Sequence, residues 1–249
     1  MFHIIEPDTH LHEGEGPFRI RRIRPGLGID SGDTGFGALG LVDRAHLSAG
    51  LLVDMHEHRD DEIVSYLRTG ELTHTDSEGH SETVTPERLM VMNAGAGFSH
   101  EERMPEGEDI HMLQIFVRPR EAGLEPAVQF AELEESQREN RWRLVVGPDD
   151  VETDAPATVR QNLFIRDTRV DADGSIEVPM REGYDQWLYL FSGTARLPDG
   201  TLLAEGAALA ASDEERVEHI HAVDQCDLVL FEIQQNAPFT LAGSLSRGR

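Results

Sequence analysis

Two pairs of metal-type side chains stand out in the chain: His56 with His58, and His100 with Glu102. Side chains on a β-strand alternate between faces, so residues two apart point the same way. His56 and His58 therefore project together with Glu57 opposed, and His100 and Glu102 project together with Glu101 opposed. Two such pairs facing each other across neighbouring strands bring three imidazoles and one carboxylate to a point. That set leaves one or two coordination positions open on a divalent metal, as a reactive site needs. A closed structural zinc site would favour four protein ligands, usually including cysteine, and the chain has only Cys226. A single His-x-His pair can be surface decoration. Two pairs, the second entered through Gly95-Ala96-Gly97, are harder to ascribe to chance. Strand parity prefers Glu102 to Glu101 as the acidic donor but leaves Glu62 open as an alternative.

The elements that must position these residues are short strands. From residue 38 onward the expected strands are Leu39–Val42, His46–Val53, Ile63–Leu67, Glu71–Thr75, Arg88–Met92 and Ile110–Val117, with Phe18–Ile23 upstream. Gly70-Glu71 and Asp76-Ser77-Glu78-Gly79 carry turn chemistry between them. Residues 1–17 read as polar loop containing His10 and His12, and 25–37 as glycine-rich loop. A connection from Pro119 to Asn140 includes Phe130-Ala131-Glu132-Leu133-Glu134-Glu135, read as a short helix. Candidate strands then resume: Trp142–Val146, Asn162–Arg166, Ile176–Met180, Gln186–Phe191, Thr194–Leu197, Ala207–Ala211, Val217–Ala222 and Leu228–Ile233. Many short strands separated by turns predict an all-β protein of two barrels or sandwiches, divided into residues 1–135 and 136–249. The second half has His219 and His221 but no facing ligand pair, so it is expected to pack rather than react.

Composition narrows the function classes. With 22 basic residues, all arginine, against 47 acidic ones, the chain carries a net charge of −25. Such a surface repels phosphate backbones and anionic lipid, which argues against direct nucleic-acid or membrane binding. It also suits a salt-rich medium, where self-repulsion is screened. No run approaches the roughly 20 apolar residues of a membrane helix. The first residues lack the pattern of a secretory signal, and a lone cysteine fits a reducing compartment, so a cytoplasmic location is expected.

The motif residues resemble a family. Gly50, His56-x-His58, Glu62 and Gly97-x-x-His100 follow the cupin pattern. The run His56-Glu57-His58-Arg59-Asp60-Asp61-Glu62-Ile63-Val64-Ser65-Tyr66-Leu67, with Asn93-Ala94-Gly95-Ala96-Gly97 and His100-Glu101-Glu102, resembles pirin and the bacterial pirin-like quercetin 2,3-dioxygenases. The resemblance implies tandem jelly-roll cupin domains, a bicupin, with metal in the first only. It implies that His56, His58, His100 and Glu102 hold an Fe(II)-type ion, with Glu62 a neighbour; Mn, Ni, Co, Cu or Zn suit the same donors. It further implies dioxygenation of a small aromatic, flavonol-like substrate by O2 with release of carbon monoxide, Glu102 or Glu62 accepting the substrate proton. The alternative it carries is a non-enzymatic iron-binding regulator acting through a protein partner. The chain departs from the family at Glu57, commonly proline, at Pro86-Glu87, commonly Pro-Gly, and from Gly14 to Asp33. These departures bear on the substrate more than on the metal.

Overall fold

The computed structural model describes residues 2–29, 32–212 and 215–247. Asp30 and Ser31, inside the loop read over 25–37, lie outside the described residues. The fold is two β-barrels in tandem, each built from a seven-stranded and a four-stranded sheet. In the first barrel the large sheet places Ile110–Val117 between Leu39–Leu47 and Glu62–Thr69, all antiparallel. The small sheet holds Leu52–His58, Phe98–Arg103, Leu72–Asp76 and Ser81–Val84 side by side in that order.

The large sheets of the two barrels pack against each other. The Ile110–Val117 strand shows how. Leu113, Ile115 and Val117 join one apolar cluster with Trp187, Tyr189, Val229 and Phe231 of the second barrel. Met112 and Phe116, pointing the other way, fill the interior of the first barrel. A strand buried on both faces is largely apolar, and here only His111 and Gln114 interrupt the run, which is why it was visible in the sequence. Polar groups cross the same interface. Tyr66 Oη donates across it to Asp167 Oδ2 at 2.5 Å, and from the second barrel's own sheet Arg143 donates to both oxygens of that carboxylate, at 2.9 and 2.6 Å.

Several expected elements differ. His46–Val53 is two strands, Leu39–Leu47 and Leu52–His58, separated by a turn in which Gly50 has φ +78°. A glycine adopts that conformation without the steric cost a side chain would bring. The helix expected from Phe130 is instead the strand Ala127–Glu132, paired with Arg88–Asn93, followed by a short 3-10 turn at Glu135–Arg138. Good helix formers lose there to an open sheet edge that needs a partner. The N-terminal loop contains two strands. Leu11–Glu13 pairs with Phe18–Ile23, and His3–Ile5 crosses to pair with Ala208–Ala211 in the second barrel. Among the described residues no helix is long and apolar enough to cross a membrane.

Candidate metal centre

The predicted donors come from two adjacent strands of the small sheet. His56 and His58 lie on Leu52–His58, and His100 and Glu102 lie on its antiparallel neighbour, with His100 directly opposite His56. The register slips between His100 and Glu102, so Glu102 faces Val53. One extra residue on the His56 strand makes a bulge, a device that re-aims side chains beside sites.

The three imidazoles meet. Ring centroids are 4.4 Å apart for His56 and His100, 4.9 Å for His56 and His58, and 5.2 Å for His58 and His100. One donor atom from each lies within 4.8 Å of the others. Glu102 enters a second, overlapping group with His74 and His100, whose donor atoms also lie within 4.8 Å of one another. Its carboxylate stands 3.9 Å from His100 Nδ1. The four predicted residues are thus neighbours, and His100 is shared by both groups.

Their surroundings fit a cation. Both nitrogens of His58, Nε2 of His100 and Oε1 of Glu102 are buried without a hydrogen-bond partner. Each orphaned polar atom of this kind costs about 1–3 kcal/mol, and a divalent ion among the three imidazoles would give one nitrogen of His58 and Nε2 of His100 a partner. Burial, reinforced by the neighbouring His56, His58 and His74, holds the His100 imidazole neutral down to about 2. Burial pushes His56 below its ordinary value. Neutral imidazoles are the form that ligates. Burial also lifts the Glu102 carboxyl to about 7. On the barrel side the group is walled by Phe116, 6.5 Å from His58, and by Phe98, 6.3 Å from His100. His56 is only half-buried, so the donor group reaches solvent at that residue.

Glu62, the other candidate proton acceptor, is buried and held elsewhere. Its carboxylate accepts from Arg160 N at 3.0 Å, from Arg160 Nε at 3.1 Å, and from Asn93 Nδ2. It belongs to neither donor group. His10 is buried just after the 3-10 turn Pro7–Thr9, and His12 is exposed on the strand Leu11–Glu13. His111 stacks on His46 at 4.4 Å. His221 contacts Ser175 Oγ at 3.1 Å. Cys226 is buried, and burial pushes its thiol up to about 11.

Sequence reasoning missed His74 and Asp76. His74 is fully buried on the strand Leu72–Asp76, the other neighbour of the His100 strand, opposite Glu102 in register. The signal was present as another His-x-Asp pair at strand spacing, masked by the turn chemistry that begins at Asp76.

Comparison with known proteins gives the family of the chain. Residues 34–117 match the Pirin family, and residues 144–233 match the quercetinase C-terminal cupin domain. A quercetin 2,3-dioxygenase of Escherichia coli is 28% identical over 200 residues, covering 80% of this chain and 84% of the relative. A pirin-like protein of Caulobacter vibrioides is 24% identical over 208 residues, covering 82% and 86%. The crystal structure of YhhW from Escherichia coli superposes with a TM-score of 0.82 at 25% identity, covering 94% of this chain and 97% of that one. A second structure, of the same bacterial pirin with nickel(II), gives 0.81 at 24% identity, with 94% and 99% covered. With a pirin domain carrying the histidine cluster and a quercetinase-type cupin behind it, this chain belongs to the pirin family.

Proposed function

We propose that the protein is a metal-dependent dioxygenase that opens the ring of a flavonol-like substrate with O2 and releases carbon monoxide. The observation that carries the reading is the group of buried, otherwise unpartnered donors on His58, His100 and Glu102, joined by a half-exposed His56. His56, His58 and His100, with Glu102, would hold the ion; its family-implied identity is Fe(II), and the nickel in the related bacterial pirin supports a site tolerant of several divalent ions. When bound, the ion supplies Lewis acidity toward a substrate hydroxyl and a path for electrons to O2.

The chain's own residues do the rest. Glu102, beside the ion, would accept the proton a flavonol hydroxyl must lose, with Glu62 the other carboxylate suited to that role. Phe98 and Phe116 form an apolar wall that excludes water behind the donors. A substrate would approach from the side of the half-buried His56.

The test is anaerobic purification with metal analysis, then addition of quercetin and oxygen. Loss of flavonol absorbance with evolution of carbon monoxide supports the enzyme. A tightly held ion without turnover on a flavonoid panel would favour an iron-binding regulator that works through a protein partner.

A further inference from the structure

His100 is flanked by a hydrogen-bonded pair on the neighbouring strand. His100 Nδ1 and His74 Nδ1 lie 3.2 Å apart, and His74 Nε2 lies 2.9 Å from Asp76 Oδ2. All three residues are buried, His74 and His100 completely. The Asp76 carboxylate is itself fixed. Its Oδ1 accepts from Glu78 N at 2.9 Å and His80 N at 3.0 Å, and His80 Nδ1 stands 3.1 Å from each oxygen.

Burial favours a neutral His74, and with His74 neutral one arrangement of protons satisfies these contacts together. An ionised carboxylate is acceptor only, so His74 must present Nε2–H to Asp76. A neutral His74 then has a lone pair on Nδ1. The 3.2 Å approach is attractive only if His100 donates its Nδ1–H to that lone pair. His100 is left with its lone pair on Nε2, the nitrogen that is buried and without a protein partner. We infer that Asp76 and His74 form a two-residue relay that fixes the tautomer and the ring orientation of His100, so that its Nε2 faces the ion. His74 is a positioning residue, not a ligand. Metal-bound histidines commonly donate their second nitrogen to a carboxylate or carbonyl, and losing that partner typically costs 10–100-fold in metal affinity. Here a second imidazole is interposed between the ligand and the carboxylate.

The inference rests on the metal-site reading above and not on the flavonol chemistry, so its test uses neither substrate nor oxygen. Two-bond 1H–15N spectra of the metal-free, full-length protein report the tautomer of each histidine, and cobalt(II) titration reports affinity. The expected result is His100 with its proton on Nδ1 and His74 with its proton on Nε2. His74→Leu should retain its fold by circular dichroism, bind cobalt about 10–100-fold more weakly and lose the single His100 tautomer. His74→Gln, whose amide both accepts and donates along the same line, should recover most of the affinity. A wild-type His100 protonated on Nε2 would overturn the relay whether or not the variants fold. Unchanged cobalt affinity in His74→Leu would overturn it too, as would cobalt-shifted His74 resonances that mark it as a ligand. A wild-type protein with the expected tautomers that takes up no cobalt would instead sink the metal reading, and with it the relay's purpose.

Discussion

Glu62 in the first barrel and Arg160 in the second are joined by two hydrogen bonds, Arg160 N to Oε2 at 3.0 Å and Arg160 Nε to Oε1 at 3.1 Å. Burial raises this carboxyl above its ordinary value, and Arg160 opposes the shift with its charge and its hydrogen bonds. The glutamate that many cupins spend on metal is here committed to joining the barrels. Glu62→Gln should therefore lower stability by about 2 kcal/mol, the scale of a hydrogen bond to a charged group. Metal content should be unchanged, and any turnover should survive at reduced temperature. Thermal melts and metal analysis on one preparation check this. A variant that melts normally but loses turnover would return Glu62 to the reaction as a proton acceptor.

Glu102 makes metal-free stability depend on pH. Its folded value of about 7 lies above the ordinary 4.5. Between the two, the folded chain keeps a proton that the unfolded chain has released, so stability falls as pH rises through that window. Glutamine imitates the protonated acid. Metal-free Glu102→Gln should match wild type at pH 4.5 and exceed it at pH 8 by up to about 3 kcal/mol, from the size of the shift. The depressed His100 gives an opposite slope, since the unfolded imidazole protonates below 6.5 while the folded one stays neutral. That slope is common to both proteins and cancels in their difference. Urea melts at the two pH values measure it, and a difference that does not grow with pH would mean that Glu102 is ionised in the folded chain.

The parts of this site legible in the sequence are those governed by strand parity. His56 with His58 and His100 with Glu102 needed only the two-residue repeat to be placed on one face each, and their strands are antiparallel neighbours. The bulge beside His100 was not legible, because a one-residue register slip leaves no local mark. Nor was the crossing of His3–Ile5 into the second barrel, which rests on pairing with residues some two hundred positions away. His74 escaped for a different reason: its importance comes from lying beside His100, and strand order in a sheet is not written in either strand alone. The false helix at Phe130 shows the same limit, since local preference was overruled by a sheet partner.

The charge of −25 predicts a response to salt. Acidic groups spread over the surface repel one another, and the repulsion is screened over about 8–10 Å at physiological ionic strength and over about 3 Å at 1 M. Exposed ion pairs such as Arg59 with Glu57 are weakened by the same screening but contribute little. The melting temperature should therefore rise steadily with potassium chloride. A flat or falling series would show that the carboxylates serve only to keep the chain dissolved.

The C-terminal segment closes over the turn that follows His58. Ser244 N donates to Arg59 O at 2.9 Å, and Arg59 N donates to Ser244 Oγ at 2.7 Å. Leu245 N and Ser246 N donate to the fully buried Asp61 carboxylate at 3.1 and 3.0 Å, and Arg118 Nε holds Ser246 O at 2.7 Å. This strap comes from the chain beyond the second barrel yet secures residues one to three positions after a metal-type histidine. It packs tightly enough to be displaced by one methyl group. A Cβ at Gly243 would stand 2.3 Å from Asp61 Oδ1 and 2.2 Å from Ser246 Oγ. Gly243→Ala should lift the strap and destabilise the chain by about 1–3 kcal/mol, as overpacking does. It should also leave Asp61 a buried charge short of donors, so hydrogen exchange should quicken at Arg59–Asp61 and metal should dissociate faster. Exchange that quickens only at the tail, with His58 and its turn as protected as before, would show the strap to be a passive covering.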